Sequence, residues 1–216
     1  MRDAKAEIRT AILAARRAVS RQRHEAEARR LAAHLPALVE TSSTARSGAA
    51  VVICAYVPVG SEPGSTTLVD TLHGLGARVL LPVARRGADG EPQPLRWAEY
   101  RPGELVEAPM RLREPSGPAL DPDTIRTAAL VLVPALAVDR RGVRLGRGAG
   151  FYDRSLRMAD PRARLVAVVR DDELVDTLPA EPHDVPMTHA LTPHRGVVEL
   201  GAETGEARSA GITPRK

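Results

Sequence analysis

Aromatic side chains and cysteine are scarce in this chain of 216 residues. One Trp, one Phe and three Tyr are present, so the core must be built mainly from Val, Leu, Ile and Ala. A hydrophobic fraction of 43% nevertheless indicates a folded globule rather than a disordered chain. The single cysteine, Cys54, allows no internal disulfide, and its apolar neighbours predict a buried small hydrophobe.

The signatures of several common protein classes are also missing. No apolar stretch reaches transmembrane length and the first residues lack the apolar segment of a signal peptide, so we expect a cytoplasmic protein with no membrane partner. There is no GxxxxGK[ST] phosphate loop and no Cys/His spacing typical of zinc. The glycines at 146–150 do not complete a dinucleotide-binding fingerprint, because position 151 is Phe.

Positive charge is concentrated in two segments. The net charge is +4, whereas residues 1–30 hold nine Lys/Arg against four Asp/Glu and residues 139–170 hold nine against three. Two basic segments favour an anionic ligand. A nucleic-acid-binding module and a nucleotide enzyme with two basic walls are both compatible with them.

The chain is organised around residues 139–154, which follow a predicted buried strand at 130–135. Three glycines at alternate positions allow close approach of the backbone to a ligand. Arginines surround them and a carboxylate follows, which is the composition of an anion-binding loop with a ligand for a cation. The residues concerned are Gly146, Gly148, Gly150, Arg144, Arg147, Arg154 and Asp153.

The first helix is predicted over residues 3–34, with a polar linker at 41–48. At 100° per residue, its apolar stripe (Ile8, Ile12, Ala15, Val19) lies beside a stripe of three cations, Lys5, Arg9 and Arg16. The cations are either a solvated basic face or functional groups at the edge of a buried contact.

The middle of the chain predicts a parallel βαβ unit. Strands at 49–56 and 79–83 flank a helix capped by Ser65 or Thr66, and Glu62 lies in the loop after the first strand. Residues 95–98 predict an edge strand, 151–158 a helix, and 164–169 and 190–192 further strands. Ligands of such sheets bind beyond the carboxyl ends of the strands.

The candidate groups include no obvious protein nucleophile, which fits direct phosphoryl transfer by positioning and charge neutralisation. Mg²⁺ uses one or two carboxylates with phosphate oxygens and waters, and Asp153 and Asp184 are the candidates. The helix that begins near Phe151 would direct its N-terminal amides at the anion.

Residues 133–154, VPALAVDRRGVRLGRGAGFYDR, resemble the signature of the 5-formyltetrahydrofolate cyclo-ligase family, whose pattern is a VPGLAFD-type strand end followed by RLGxGxGYYDR. Further matches occur in the family's order: Lys5 and Arg9, YVPVGSE at 56–62, REP at 113–115 and EPHD at 181–184. The resemblance extends to about residue 195.

The resemblance implies conversion of 5-formyltetrahydrofolate to 5,10-methenyltetrahydrofolate with ATP and Mg²⁺, giving ADP and phosphate. The formyl oxygen would attack the γ-phosphate of ATP, and N10 of the folate would then close the ring and expel phosphate. It also implies a three-layer αβα sandwich with a mainly parallel sheet, as in NagB, RpiA and the CoA transferases. We expect one domain over residues 1–200, a flexible tail at 201–216, and a monomer that binds no nucleic acid.

Site residues follow from the resemblance position by position. They are, for ATP, Lys5, Arg9, Arg144, Leu145, Gly146, Arg147, Gly148, Ala149, Gly150, Phe151 and Tyr152; for folate, Val57, Glu62, Trp97 and residues 147–151; for Mg²⁺, Asp153 and Asp184; and for catalysis, Lys5, Arg147 and Arg154.

The sequence departs from the family pattern at Ala135, Ala149 and Phe151, where Gly, Gly or Lys, and Tyr are usual. None of these changes removes a charge, so we expect activity to be retained. The alternatives are a basic binding module without catalysis, which leaves Asp153, Asp184 and Glu62 unexplained, and a folate-binding member that has lost turnover.

Overall fold

A seven-stranded sheet forms the centre of the computed structural model, which describes residues 2–43, 50–109, 112–181 and 184–201. This sheet and two smaller sheets of three and two strands contain all the strands of the described residues. They are β1 (Val52–Cys54), β2 (Arg78–Val83), β3 (Arg96–Glu99), β4 (Leu105–Ala108), β5 (Leu112–Pro115), β6 (Leu130–Pro134), β7 (Ala137–Asp139), β8 (Arg144–Leu145), β9 (Arg164–Val168), β10 (Leu174–Val175), β11 (His189–Thr192) and β12 (Gly196–Glu199). The helices are α1 (Arg2–Ala18), α2 (Arg21–Ala33), α3 (Leu35–Ser43), α4 (Thr67–Gly74) and α5 (Phe151–Ser155).

The main sheet has the order β12-β11-β9-β6-β1-β2-β3. Its five inner strands are parallel, and the edge strands β3 and β12 are antiparallel to their neighbours. Apolar side chains on one face pack against α2, α3 and α4, and those on the other face pack against α5 and the 3₁₀ turns at Pro122–Thr127 and Leu156–Met158. The predicted three-layer α/β fold with a mainly parallel sheet is therefore confirmed.

The prediction of one helix over residues 3–34 is wrong. The chain bends at Val19 and Ser20, because the Ser20 hydroxyl accepts a hydrogen bond from the Arg23 amide at 3.2 Å and caps a new helix. Helix α3 then begins directly after α2 with Pro36 in its first turn, where a proline costs no hydrogen bond. The predicted linker at 41–48 is helical up to Ser43, and its remainder lies outside the described residues.

Other boundaries also differ from the predictions. The strand predicted at 49–56 is paired only over β1, while Ala55, Tyr56 and Val57 continue as buried loop at the end of the sheet. The helix predicted at 151–158 is α5 followed by a 3₁₀ turn. The tail predicted at 201–216 lies outside the described part of the chain from residue 202 onward, and the single domain over 1–200 remains a prediction.

A small second sheet, β10-β7-β8, holds the segment that leads into the glycine loop. Gly142 forms the turn between β7 and β8 with φ of +90°, and a Cβ there would lie 2.3 Å from the Met187 carbonyl oxygen. The apolar stripe of α1, with Ile8 and Ile12, packs on this sheet beside Leu145. Helix α1 is thereby held against the residues that precede the glycine loop. No helix in the described residues is long and apolar enough to span a membrane.

Candidate active site

A cleft of about 270 Å³ opens at the carboxyl ends of β1, β2 and β6, where the sequence predicts a ligand site. It is lined by Tyr56, Val57, Val59, Glu62, Pro82, Ala84, Leu95, Leu112, Arg113, Pro134, Ala135, Leu136, Arg144, Gly146, Arg147, Gly148, Ala149, Gly150, Phe151, Tyr152 and Asp153. Three arginines and two carboxylates thus face an otherwise apolar space. The glycine loop (residues 146–150) forms one wall.

The backbone of the glycine loop takes a left-handed conformation at two of its glycines. Gly148 and Gly150 have φ of +91° and +80°, in the left-handed region that an L side chain rarely adopts. Ala149 stands between them, so the departure from the family pattern falls on neither positive-φ glycine. Arg9 of α1 donates through Nε to the Gly146 carbonyl at 2.9 Å, which fixes the start of the loop against the first helix.

Arg144 and Asp153 form an ion pair inside the cleft wall. Nη2 of Arg144 donates to Oδ1 of Asp153, and Nη1 donates to the Pro134 carbonyl at 3.3 Å. The guanidinium carbon also lies 5.8 Å from the centre of the Tyr152 ring, within cation–π distance. The arginine predicted to bind ATP and the carboxylate predicted to bind Mg²⁺ are therefore direct neighbours.

Glu62 is buried at the opposite wall, with 9% of the residue exposed. One carboxylate oxygen accepts a hydrogen bond from the Val59 amide at 2.8 Å, and the other lies 3.2 Å from Nε of Arg147. Burial raises the pKa of Glu62, while the Val59 amide and the charges of Arg147 and Arg16 oppose that rise. The result is a buried carboxylate with a hydrogen bond on one oxygen and a cation beside the other.

Arg147 connects the two walls. Besides its contact with Glu62, it donates through Nη2 to the Val59 carbonyl at 3.3 Å, although its side chain remains 46% exposed. The glycine loop and the loop at 57–62 are thus linked by one mobile, solvated guanidinium.

The cationic stripe of α1 is not a solvated face, because its members contact other parts of the protein. Lys5 is 8% exposed and lies 3.3 Å from Asp184 and 3.5 Å from Glu181. Asp184 also accepts from the Glu181 amide at 2.9 Å and is not among the cleft-lining residues. The structure therefore brings Asp153 to the cleft but holds Asp184 in a separate cluster with Lys5.

Five other predicted site residues do not line the cleft: Lys5 and Arg9 of α1, together with Trp97, Leu145 and Arg154. Trp97 is completely buried in the core cluster that also contains Leu95 and Phe151. Leu145 packs in the core under α1. Arg154 is partly exposed, pairs with Glu91 at 3.4 Å and donates to the Gly150 carbonyl at 3.3 Å, so it supports the loop from outside.

Several cleft residues were not predicted from the sequence. The apolar wall of Ala84, Leu95 and Leu112 carries no sequence signal that separates it from ordinary core. Arg113 had a signal, since it opens the matched REP segment at 113–115. Glu114 of that segment accepts from the Ala84 amide at 2.9 Å, which holds β5 to the end of β2 and presents Arg113 to the cleft.

The Phe151 ring, at a position where the family pattern has Tyr, is held by packing contacts. It is 7% exposed, packs in the core with Leu95, and lies under the guanidinium of Arg86 at 5.6 Å. A ring in this position makes apolar and cation–π contacts that need no hydroxyl.

A mainly parallel sheet with a cationic glycine loop and a buried carboxylate at its carboxyl edge defines a ligand-binding α/β protein. The chain belongs, within that class, to the 5-formyltetrahydrofolate cyclo-ligase family, whose model matches residues 1–193. It is an enzyme of this family.

Known proteins similar to the chain agree with that membership. A 5-formyltetrahydrofolate cyclo-ligase from Mycolicibacterium smegmatis is 58% identical over 196 residues, 91% of this chain and 97% of the relative. The one from Escherichia coli K12 is 30% identical over 145 residues, 66% of this chain and 78% of the relative.

Two solved structures share the fold. The NMR structure of a 5,10-methenyltetrahydrofolate synthetase from Aquifex aeolicus has a TM-score of 0.72 at 22% identity, covering 96% of both chains. A synthetase from Mycoplasma pneumoniae has a TM-score of 0.60 at 20% identity, covering 85% of this chain and 94% of that one.

Proposed function

We propose that this enzyme converts 5-formyltetrahydrofolate to 5,10-methenyltetrahydrofolate with consumption of ATP and release of ADP and phosphate. The observation that carries the proposal is the contact between Arg147 and Glu62 at 3.2 Å. It brings together, in one cleft, a glycine loop suited to phosphate and a carboxylate suited to the ring of the folate. Membership in the cyclo-ligase family supports the same reaction.

The folate is proposed to bind between Glu62 and the apolar wall. A carboxylate can accept two parallel hydrogen bonds from the amino-pyrimidine edge of the pterin, and Glu62 already accepts one from the Val59 amide while its other oxygen faces the Arg147 guanidinium. Val57 and Tyr56 border this end of the cleft. Apolar contacts from Ala84 and Leu112 suit the flat ring system.

ATP is proposed to lie along the glycine loop, with its phosphates facing Arg144 and Arg147. Backbone amides at positive-φ glycines and arginine forks are suited to phosphate oxygens. Arg9, which holds the Gly146 carbonyl, and Lys5 extend this positive surface along α1. Arg154 is proposed to support catalysis through its contact with the loop at Gly150.

The reaction proposed for this cleft needs no protein nucleophile. The formyl oxygen attacks the γ-phosphate, ADP leaves, and N10 then attacks the formyl carbon and expels phosphate. Arg147 lies where it can neutralise charge on the transferred group, and alignment of the two substrates supplies most of the acceleration. Cys54 cannot substitute as a nucleophile, since it is fully buried and burial raises its pKa.

The donor set fits a Mg²⁺ ion that is bound mainly through the nucleotide. In the described part of the chain, no group of three or more His, Cys, Asp or Glu side chains is suited to hold a metal alone. Asp153 lines the cleft with its side chain 43% exposed and is available for such an ion. Bound there, Mg²⁺ would neutralise phosphate charge. The proposed role of Asp184 requires its release from Lys5.

The experiment that tests this function is an incubation of the purified protein with 5-formyltetrahydrofolate, Mg²⁺ and ATP, monitored by the absorbance of methenyltetrahydrofolate. We expect product only when ATP is present, with one ADP per product. No ATP-dependent product at micromolar enzyme would contradict the proposal. We further propose that the enzyme acts as a cytoplasmic monomer without nucleic-acid or membrane partners.

A further inference from the structure

Arg16, in the last turn of α1, has no role in the mechanism described so far and is nevertheless almost fully buried. Its side chain is 1% exposed. Nε and Nη2 donate to the two carboxylate oxygens of Glu173 at 2.6 and 2.7 Å, and Nη2 also donates to the Ala135 carbonyl at 2.7 Å. The guanidinium is thus fixed in one orientation by a fork-to-fork contact.

The third nitrogen of this guanidinium has no partner. Nη1 of Arg16 is buried and makes no hydrogen bond. Burying a donor without a partner is unfavourable, and nearly all buried polar groups in proteins are paired. A purely structural ion pair with Glu173 gives no reason for an unpaired donor on a cation.

The surroundings of Arg16 lead to the substrate side of the cleft. Ala135, whose carbonyl it binds, lines the cleft at the end of β6. Glu62 and Tyr56 line the same cleft, and the charge of Arg16 opposes the rise in the pKa of both that burial causes. Tyr152 also lines the cleft, and in the described part of the chain its hydroxyl is another buried polar group without a hydrogen bond, as is Nε1 of Trp97 in the core.

We propose that Arg16 is a positioning residue for the folate: it fixes the Ala135 carbonyl in the wall of the cleft in which Glu62 faces the amino-pyrimidine edge. This inference rests on the proposed function, because it concerns the substrate of the same cleft. Arg16 acts through Ala135 and Glu62 rather than by touching the reacting atoms. Its effect falls on folate binding and not on the nucleotide side.

The chain offers a control in a buried polar contact that shares no partner with Arg16 in the described part of the chain. The hydroxyl of Tyr100 donates to Asp70 of α4, and Tyr100 is buried and lines no part of the cleft. Tyr100→Phe removes a buried hydrogen bond from the helical layer. Arg16→Met removes a buried charge beside the cleft, and Arg16→Lys keeps the charge but loses the fork.

The test measures the dissociation constant of 5-formyltetrahydrofolate by calorimetry without ATP, for the wild type and the Arg16→Met, Arg16→Lys and Tyr100→Phe variants. We expect Arg16→Met to weaken folate binding by about tenfold or more, because misplacement of a binding group is costly even from a distance. Arg16→Lys should recover part of this loss. Tyr100→Phe should bind folate within about twofold of wild type even if its melting temperature falls equally.

Two further readouts separate positioning from simple destabilisation. Binding of a non-hydrolysable ATP analogue with Mg²⁺ should be unchanged in Arg16→Lys. The pH below which folate binding weakens should be higher in Arg16→Met than in the wild type. The reason is that Glu62 loses one nearby cation, whereas Arg147 and the neutral phenols of Tyr56 and Tyr152 remain around it. If Arg16→Met does not fold, the Arg16→Lys variant carries the comparison.

Wild-type folate affinity in the folded Arg16 variants would overturn the inference, and so would an equal loss in Tyr100→Phe. A wild-type protein that binds folate but forms no product with ATP would contradict the proposed function and leave the role of Arg16 standing. Absence of folate binding by the wild type would overturn both.

Discussion

Nε of Arg147 lies 3.2 Å from the carboxylate of Glu62, so the glycine-loop arginine is in contact with the carboxylate that is proposed to bind the folate. Binding of the pterin to Glu62 must displace or share this contact. Arg147 would then be free to turn to the phosphates, which would couple the two proposed substrates through one side chain.

Replacement of Arg147 by Ala should separate the two halves of the reaction. We expect kcat to fall by about 10²-fold, since a donor aimed at the transferred phosphoryl group is lost. Folate affinity without ATP should be equal or tighter, because Glu62 loses a competitor. Steady-state kinetics and calorimetry check both points. A large loss of folate affinity with normal kcat would contradict this role.

The carboxylate of Asp153 should be needed for turnover and not for folding. Its only cleft partner among the described contacts is Arg144, and 43% of its side chain is exposed. Asp153→Asn should lower turnover strongly and raise the Mg²⁺ concentration required for half-maximal rate, while the melting temperature changes little. Asp176→Asn, at a carboxylate 95% exposed and paired only with Arg140, is the control. Normal turnover in Asp153→Asn would refute the metal role.

Folate binding should weaken on acidification at a higher pH than an exposed glutamate would produce. Burial raises the pKa of Glu62, so its carboxylate takes up a proton early as the pH falls and can no longer accept two hydrogen bonds. Glu62→Gln should bind folate weakly and lack this acid limb. The check is the folate dissociation constant measured as a function of pH for both proteins.

The same pKa shift fixes the sign of the effect on stability. Because the folded pKa of Glu62 is raised, its contribution to stability is present at low pH and is lost as the pH rises through the folded value. The free energy of unfolding of the wild type, relative to that of Glu62→Gln, should therefore decrease as the pH rises through the folded pKa of Glu62. A relative increase would show that the carboxylate is favoured by folding instead.

Gly142 should be far less tolerant of substitution than other positive-φ glycines. Gly103→Ala, with φ of +82° and no atom within 4 Å of a new Cβ, should lower the free energy of unfolding by about 1–2 kcal/mol. Gly142→Ala places its Cβ 2.3 Å from the Met187 carbonyl oxygen, so the β7–β8 turn must move at a further cost of about 1–3 kcal/mol. Denaturant unfolding of both variants measures the difference. Equal losses would mean that the turn relaxes freely.

The sequence predicted the elements of the fold and one wall of the site because these depend on local patterns. Apolar runs identified β1, β2, β6 and β9, and the positions of the glycines identified the loop. The stripe of Lys5, Arg9 and Arg16 was found from the helical period alone. That period fixes which side chains share a face, but not that Arg16 meets Glu173, 157 residues away.

The error in the first helix has the same origin. Ser20 ends the first helix because capping competes with helix continuation, and the periodicity of the apolar stripe does not report that competition. The folate role of Trp97 and the magnesium role of Asp184 stay predictions. That Trp97 is completely buried and that Asp184 pairs with Lys5 depend on tertiary contacts, which the local sequence does not report.

The most direct test of the proposed reaction follows the formyl oxygen. 5-Formyltetrahydrofolate labelled with ¹⁸O in the formyl group is converted by the enzyme with unlabelled ATP and Mg²⁺, and the released phosphate is examined by mass spectrometry. Attack of that oxygen on the γ-phosphate predicts one ¹⁸O atom in each phosphate released. Unlabelled phosphate, with the ¹⁸O lost to water, would contradict the phosphorylated intermediate on which the account depends.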